Sequence, residues 1–178
     1  MTATEYVILV DAADKPLGTA EKIAAHQQNQ LHRAFSVFVF RREPELQVLL
    51  QQRALSKYHS PGLWTNTCCS HPRPNEDIVA AGQRRLADEL GIEVPLTEIG
   101  WFHYQADFAN GMHENENDHV LIGFVPKDIV VKPNPEEVHT YRWITLADLR
   151  KEAAANPTQF TIWLNPAIDI VEKHLASI

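Results

Sequence analysis

The sequence predicts a single mixed α/β (α+β) domain, a sheet flanked by helices, on three observations. Six short runs rich in β-branched and aromatic residues lie between Pro, Asn, Asp or Gly punctuation. Only three runs carry helical periodicity, and they do not alternate strictly with the strands, which argues against a doubly wound parallel sheet. A length of 178 residues suits one domain spanning 1–178 with a core of its own.

In chain order, the strand-like runs are 6–10, 34–40, 48–52, 101–105, 120–125 and 138–143. The helical runs are 75–90, 146–155 and roughly 160–176. The first helix has the clearest punctuation. Asn75 is expected to cap it, Glu76 and Asp77 suit its positive end, and Gly91 stops it. The segment from Asn156 holds Pro157 and Pro166 and is expected to pack as a C-terminal cover.

Composition narrows the function classes. With 44% hydrophobic and 22% charged residues the chain is ordinary for a globular protein. A formal charge of −7 argues against a protein that coats nucleic acid, although a local cluster of Lys and Arg can still bind an anion. The N-terminus lacks the basic start and long apolar run of a secretory signal. No stretch approaches the ~20 apolar residues of a membrane span. A cytoplasmic protein without membrane or nucleic-acid partners is expected, as monomer or homodimer. The two cysteines, Cys68 and Cys69, are adjacent, which disfavours a disulfide between them.

On a wheel of about 100° per residue, Ile78, Val79, Gly82, Leu86 and Leu90 fall within an arc of roughly 120° that faces the core. Arg84 and Asp88 fall outside it and are expected to pair as solvated neighbours. Glu89 instead lands inside the apolar arc, about 20° from Ile78 and from Gly82. A carboxylate there is costly unless paired or bound to a metal. Arg85, one turn earlier, is the plain structural partner.

The run Arg84-Arg85-Leu86-Ala87-Asp88-Glu89-Leu90-Gly91-Ile92 resembles the core of a Nudix box, R-E-U-x-E-E-x-G-U, with Glu76 in the place of the Glu eight residues before the Arg. The box is degenerate: Ser70 replaces the loop Gly, Arg85 the first Glu and Asp88 the second. The resemblance implies a Nudix-like fold. Hydrolytic members use several carboxylates to hold metals and activate water, and of the main cluster only Glu89 remains.

Two further segments carry chemistry. In Trp64-Thr65-Asn66-Thr67-Cys68-Cys69-Ser70-His71-Pro72, alternation of an extended chain points Cys69 and His71 one way and Cys68 the other. Cys68 then reads as a small buried residue, and Cys69 with His71 as a nucleophilic dyad or as a thiol acid/base beside a metal-held imidazole. In Glu114-Asn115-Glu116-Asn117-Asp118-His119, the same alternation places Glu114, Glu116 and Asp118 on one face. Three acids so placed repel unless a cation or a proton intervenes.

Together these segments resemble the type 1 isopentenyl-diphosphate isomerases over roughly residues 5–175. The resemblance implies a divalent ion, manganese, magnesium or zinc, held by His26, His32, His71, Glu114 and Glu116. It implies a second ion, Mg2+, that arrives with the substrate diphosphate and meets Glu89 and the backbone carbonyl of Cys69. Lys22, Arg53, Lys57 and Arg85 match the diphosphate-binding set. Cys69 and Glu116 match the acid–base pair, with Tyr104 beside the proton donor, and Trp163 matches a tryptophan whose π face can stabilise a cation. The implied activity moves the double bond of isopentenyl diphosphate by protonation and deprotonation, giving dimethylallyl diphosphate. A Nudix-type diphosphate hydrolase is the alternative, which Arg85 and Asp88 speak against. A non-enzymatic metal or thiol-redox protein would need a resolving Cys or tetrahedral Cys/His spacing, which this pair supplies poorly.

Overall fold

The computed structural model describes residues 3–178. The chain runs through β1 (Tyr6–Val10), β2 (Pro16–Glu21), α1 (Lys22–Gln27), β3 (His32–Arg41), β4 (Gln47–Arg53), β5 (Trp64–Thr65) and β6 (Cys68–Ser70). It continues through α2 (Ile78–Leu90), β7 (Thr97–Asp107), β8 (His113–Val125), β9 (Val138–Ile144), α3 (Leu146–Ala155) and α4 (Leu164–Leu175). The predicted mixed sheet flanked by helices is present.

Strand β3 organises this sheet. It is buried on both faces for most of its length, which is why its sequence is an almost unbroken apolar run. One edge pairs in parallel with β8 from His32↔Glu116 to Arg41↔Val125. The other edge is shared in turn by β1, β6 and β4, all antiparallel. Strand β7 extends the sheet beyond β8, and β5 and β9 extend it beyond β4.

Period-two alternation splits β3 between two cores. Phe35, Val37 and Val39 pack with Leu86 and Leu90 of α2. Phe38 and Phe40 pack on the opposite face with Leu149 of α3 and with Leu164 and Ile168 of α4. Helix α2 lies close against the sheet: a Cβ on Gly82 would come within 2.5 Å of Leu121 Cδ1.

Several local expectations are corrected. The cap of α2 is Asp77, whose carboxylate accepts from the amides of Val79 and Ala80, while Asn75 occupies a left-handed turn at φ 64°. Arg84 pairs with Glu76 at 2.7 Å rather than with Asp88, because the turn before α2 folds Glu76 back over the helix. Gly91 ends α2 at φ 64°, as expected. The last predicted helix breaks: Pro157–Gln159 is a 3-10 turn, Phe160 bridges to Trp64, and α4 begins only after Trp163. The amide of Thr161 donates to the Trp64 carbonyl, so tertiary pairing overrides helical periodicity there. Strand β2 and the single-turn α1 were not anticipated; α1 is capped by Glu21, a residue type outside the usual cap set.

Candidate active site

The functional side chains gather on the face of β3 that packs against α4, at the end where β3 and β8 begin and β1 ends. His32 stands opposite Glu116, and Glu116 opposite Tyr104. On the other edge of β3, Ser36 stands opposite Cys69. Directly opposed residues share a face, so Cys69 and Glu116 approach one surface from opposite flanks of β3. Cys68, opposite Val37, is fully buried on the α2 side. The alternation read from the sequence holds for both cysteines.

Four imidazole and carboxylate groups converge tightly. His71 Nε2 lies 3.1 Å from Glu116 Oε1 and 3.3 Å from His32 Nε2. His32 Nε2 is 3.3 Å and His26 Nε2 3.8 Å from the same Glu116 oxygen. His26 Nε2 is also 3.6 Å from Glu114 Oε2. All five residues of the predicted His/Glu set are thus brought together.

The donor atoms fit a cation. His26 Nδ1 donates to the Lys22 carbonyl at 2.6 Å, and His32 Nδ1 to the Gln30 carbonyl at 2.8 Å. That leaves both Nε2 lone pairs aimed inward, the arrangement of metal-ligating histidines. His26 Nε2 and Glu114 Oε2 are buried without hydrogen-bond partners among the described residues. Burial lowers the His71 imidazole to about 3 and lowers His26 as well, so both rings are neutral and available as ligands. Burial, and then its neighbour Glu116, pushes the Glu114 carboxyl well above the usual range. Burial alone would raise Glu116 too, but hydrogen bonds from Glu114, His32 and His71 outweigh it and hold this carboxyl well below. Asp118, the third acid of the face, is raised by burial and by Glu116, and accepts from the Ser36 hydroxyl at 2.7 Å.

Around the thiol the surface is mixed. Burial pushes Cys69 up to about 12, despite an Arg53 guanidinium 3.8 Å from its sulfur. The Tyr104 hydroxyl donates to Glu116 Oε2 at 3.1 Å. Trp163 is buried just ahead of α4, its indole N–H donating to Asn66 Oδ1 at 3.2 Å. Its ring is 6.0 Å from Tyr104, and the Arg53 guanidinium lies 5.6 Å above it.

The remaining basic residues reach the site through acids. Arg85 donates to Glu89 at 2.7 Å and lies 3.4 Å from Glu137, which also pairs with Lys57. Glu89, only 4% exposed, takes a second bond at 2.8 Å from Gln51. Lys22 approaches from α1, paired with Glu5 at 2.7 Å. That hydrogen bond lowers the Glu5 carboxyl, and the Lys22 ammonium lies 6.0 Å from the Tyr58 ring.

Sequence reasoning missed several participants. Gln51 and Glu137 hold functional side chains but carry no motif, and Asn66, though inside the Cys69 segment, has a partner in Trp163 that the segment does not reveal. His59, in the loop between β4 and β5, lies 3.3 Å from Glu114 Oε1. No periodicity marks a loop residue, and its partner lies far along the chain.

Residues 30–164 match the NUDIX domain. Its architecture recurs in DR0079 from Deinococcus radiodurans, with a TM-score of 0.72 at 16% identity over 94% of this chain and 98% of that one. It recurs in the Nudix hydrolase RenU from M. smegmatis, with a TM-score of 0.62 at 16% identity over 99% and 97%. The fold and its helix-borne box define a Nudix-domain protein. Two curated relatives are much nearer in sequence, both called isopentenyl-diphosphate Delta-isomerase: one from Aliivibrio fischeri strain MJ11, 48% identical over 97% of both chains, and one from Photobacterium profundum, 46% identical over 99% of both. The chain belongs to the isopentenyl-diphosphate Delta-isomerase family.

Proposed function

We propose that this chain interconverts isopentenyl diphosphate and dimethylallyl diphosphate through Cys69 and Glu116. One observation carries the reading: a buried thiol that keeps its proton and a carboxylate held ionised approach one surface from opposite flanks of β3. Proton addition at the terminal alkene carbon makes a tertiary carbocation, and proton loss from the neighbouring methylene completes the shift. That needs one donor and one acceptor on opposite faces of the substrate and no other reactant. Tyr104, bonded to Glu116, orients that carboxylate and extends its proton path. The Trp163 ring stabilises the cation, and its near-complete burial keeps water from capturing it.

A resident divalent ion held by His26, His32, His71, Glu114 and Glu116 would supply positive charge that keeps the two glutamates ionised side by side; mixed imidazole and carboxylate donors suit a borderline cation. Arg53, Lys57, Arg85 and Lys22 bind the diphosphate. Magnesium arriving with that diphosphate would be held by Glu89 and the Cys69 carbonyl and would supply positive charge against the phosphates. The hydrolase alternative lacks its equipment. Asp88 projects outward to Arg85 and Glu76 is bound by Arg84, so Glu89 is the one box carboxylate turned inward. The test offers isopentenyl diphosphate and a panel of nucleoside diphosphates in parallel. Formation of the allylic isomer without phosphate release is expected; phosphate release from a nucleotide with no isomer would refute the proposal.

A further inference from the structure

We propose that His59 is a positioning residue of the metal centre: its ring holds one oxygen of Glu114 and so turns the other toward the ion. The inference rests on reading the His/Glu cluster as a metal centre, and it adds a residue outside the five-ligand set implied by resemblance.

The loop between β4 and β5 delivers this ring. It is closed at its base by hydrogen bonds from the Arg53 amide to the Leu63 carbonyl and from the Gly62 amide to the Arg53 carbonyl. Asn110 pins it from across the site by donating to the Tyr58 carbonyl at 2.8 Å. Arg53 donates to the His59 carbonyl at 3.3 Å. The imidazole is wedged between Phe108, stacked at 5.8 Å, and Trp163, edge-on at 6.2 Å, with its side chain 9% exposed. This is a fixed ring, not a free surface histidine.

The geometry divides the Glu114 carboxylate. Oε1 lies 3.3 Å from His59 Nε2, whereas Oε2 faces His26 Nε2 at 3.6 Å and has no hydrogen-bond partner. The tautomer of His59 then separates a holder from a ligand. His26 and His32 park their Nδ1 protons on backbone carbonyls, which frees Nε2 for a metal. His59 Nδ1 is buried with no partner among the described residues. Ligation through Nε2 would strand a proton on that nitrogen, at the cost of an unmade buried hydrogen bond. A proton on Nε2 instead faces the Glu114 Oε1 carboxylate oxygen 3.3 Å away, within charge-assisted reach. His59 thus acts through Glu114, as outer partners of metal ligands do.

The test uses the purified full chain in competition with a chromophoric chelator for Mn2+, alongside the visible spectrum of the Co2+-loaded protein. His59→Ala is expected to bind Mn2+ roughly 10–100-fold more weakly while leaving the Co2+ spectrum at saturation unchanged, because the ligands themselves remain. His59→Gln, whose amide N–H can donate to the same oxygen, is expected to recover most of that loss. Wild-type affinity in His59→Ala, or no recovery in a folded His59→Gln, would overturn the proposal. So would a changed Co2+ spectrum in His59→Ala, which would make His59 a ligand. A wild-type protein that binds no divalent ion would sink the metal-centre reading itself, a result distinct from all of these.

Discussion

At the scale of single residues, the site sorts side chains by what burial does to their protons. Cys69 keeps its proton because burial outweighs the nearby Arg53, whereas Cys68 is fully buried in the core against α2. Cys69→Ala is therefore expected to abolish isomerisation, and Cys68→Ala to retain most of it; steady-state rates on folded protein check this. Trp163 offers a graded test. Removing a desolvated cation–π contact of about 2 kcal/mol slows turnover roughly 30-fold. Trp163→Leu should show that loss mainly in kcat, with Trp163→Phe between it and wild type. Asn66 Oδ1 keeps its bond from Thr65, so loss of the indole N–H leaves no bare buried acceptor. Equal activity of the Leu and Phe variants at equal folded fraction would remove the cation role. Glu114 ties the metal to pH. Burial and Glu116 raise its carboxyl, while the neutral rings of His26 and His71 have no proton to surrender. An ion must displace the Glu114 proton, so affinity should rise with pH, up to about tenfold per unit, until that raised value is passed. Mn2+ titrations at a series of pH values above the ordinary carboxylate range measure the slope, and a flat profile would contradict the assignment.

At the scale of elements, α2 and β8 carry most of what was legible. Glu89 was conspicuous because a carboxylate sat inside an apolar arc, and it is indeed buried against Arg85 and Gln51. The acids of β8 were legible because alternation survives in a strand whichever partner it meets. His26 and His32 were not readable from pattern: α1 is a single turn, too short to show a period, and β3 starts at His32 itself. They entered only through resemblance. The cap of α2 was misplaced by two residues because Asn75, Glu76 and Asp77 all suit a helix start, and the choice depends on backbone angles. Asp77→Ala should cost about 1 kcal/mol and lower the melting temperature by about 2–4 °C. No change in thermal unfolding would return the cap to another residue.

At the scale of the molecule, the site depends on β3 being central. Its two edges receive β6 and β8, which bring Cys69 and Glu116 to one face although the sequence separates them widely. Local periodicity gave the face each side chain points to, but not which strands would be neighbours. That is why Glu137, Asn66 and His59 emerged only with the fold: each matters through a partner brought near by sheet order. The central claim is that this arrangement moves one proton onto the terminal alkene carbon and another off the methylene on the other side of the cationic carbon. Incubation with magnesium and isopentenyl diphosphate in deuterated water, followed by NMR of the product, tests it directly. The account predicts dimethylallyl diphosphate with deuterium in the methyl group that was the terminal alkene carbon. Recovery of unlabelled, unconverted isopentenyl diphosphate, or its hydrolysis to phosphate, would contradict it.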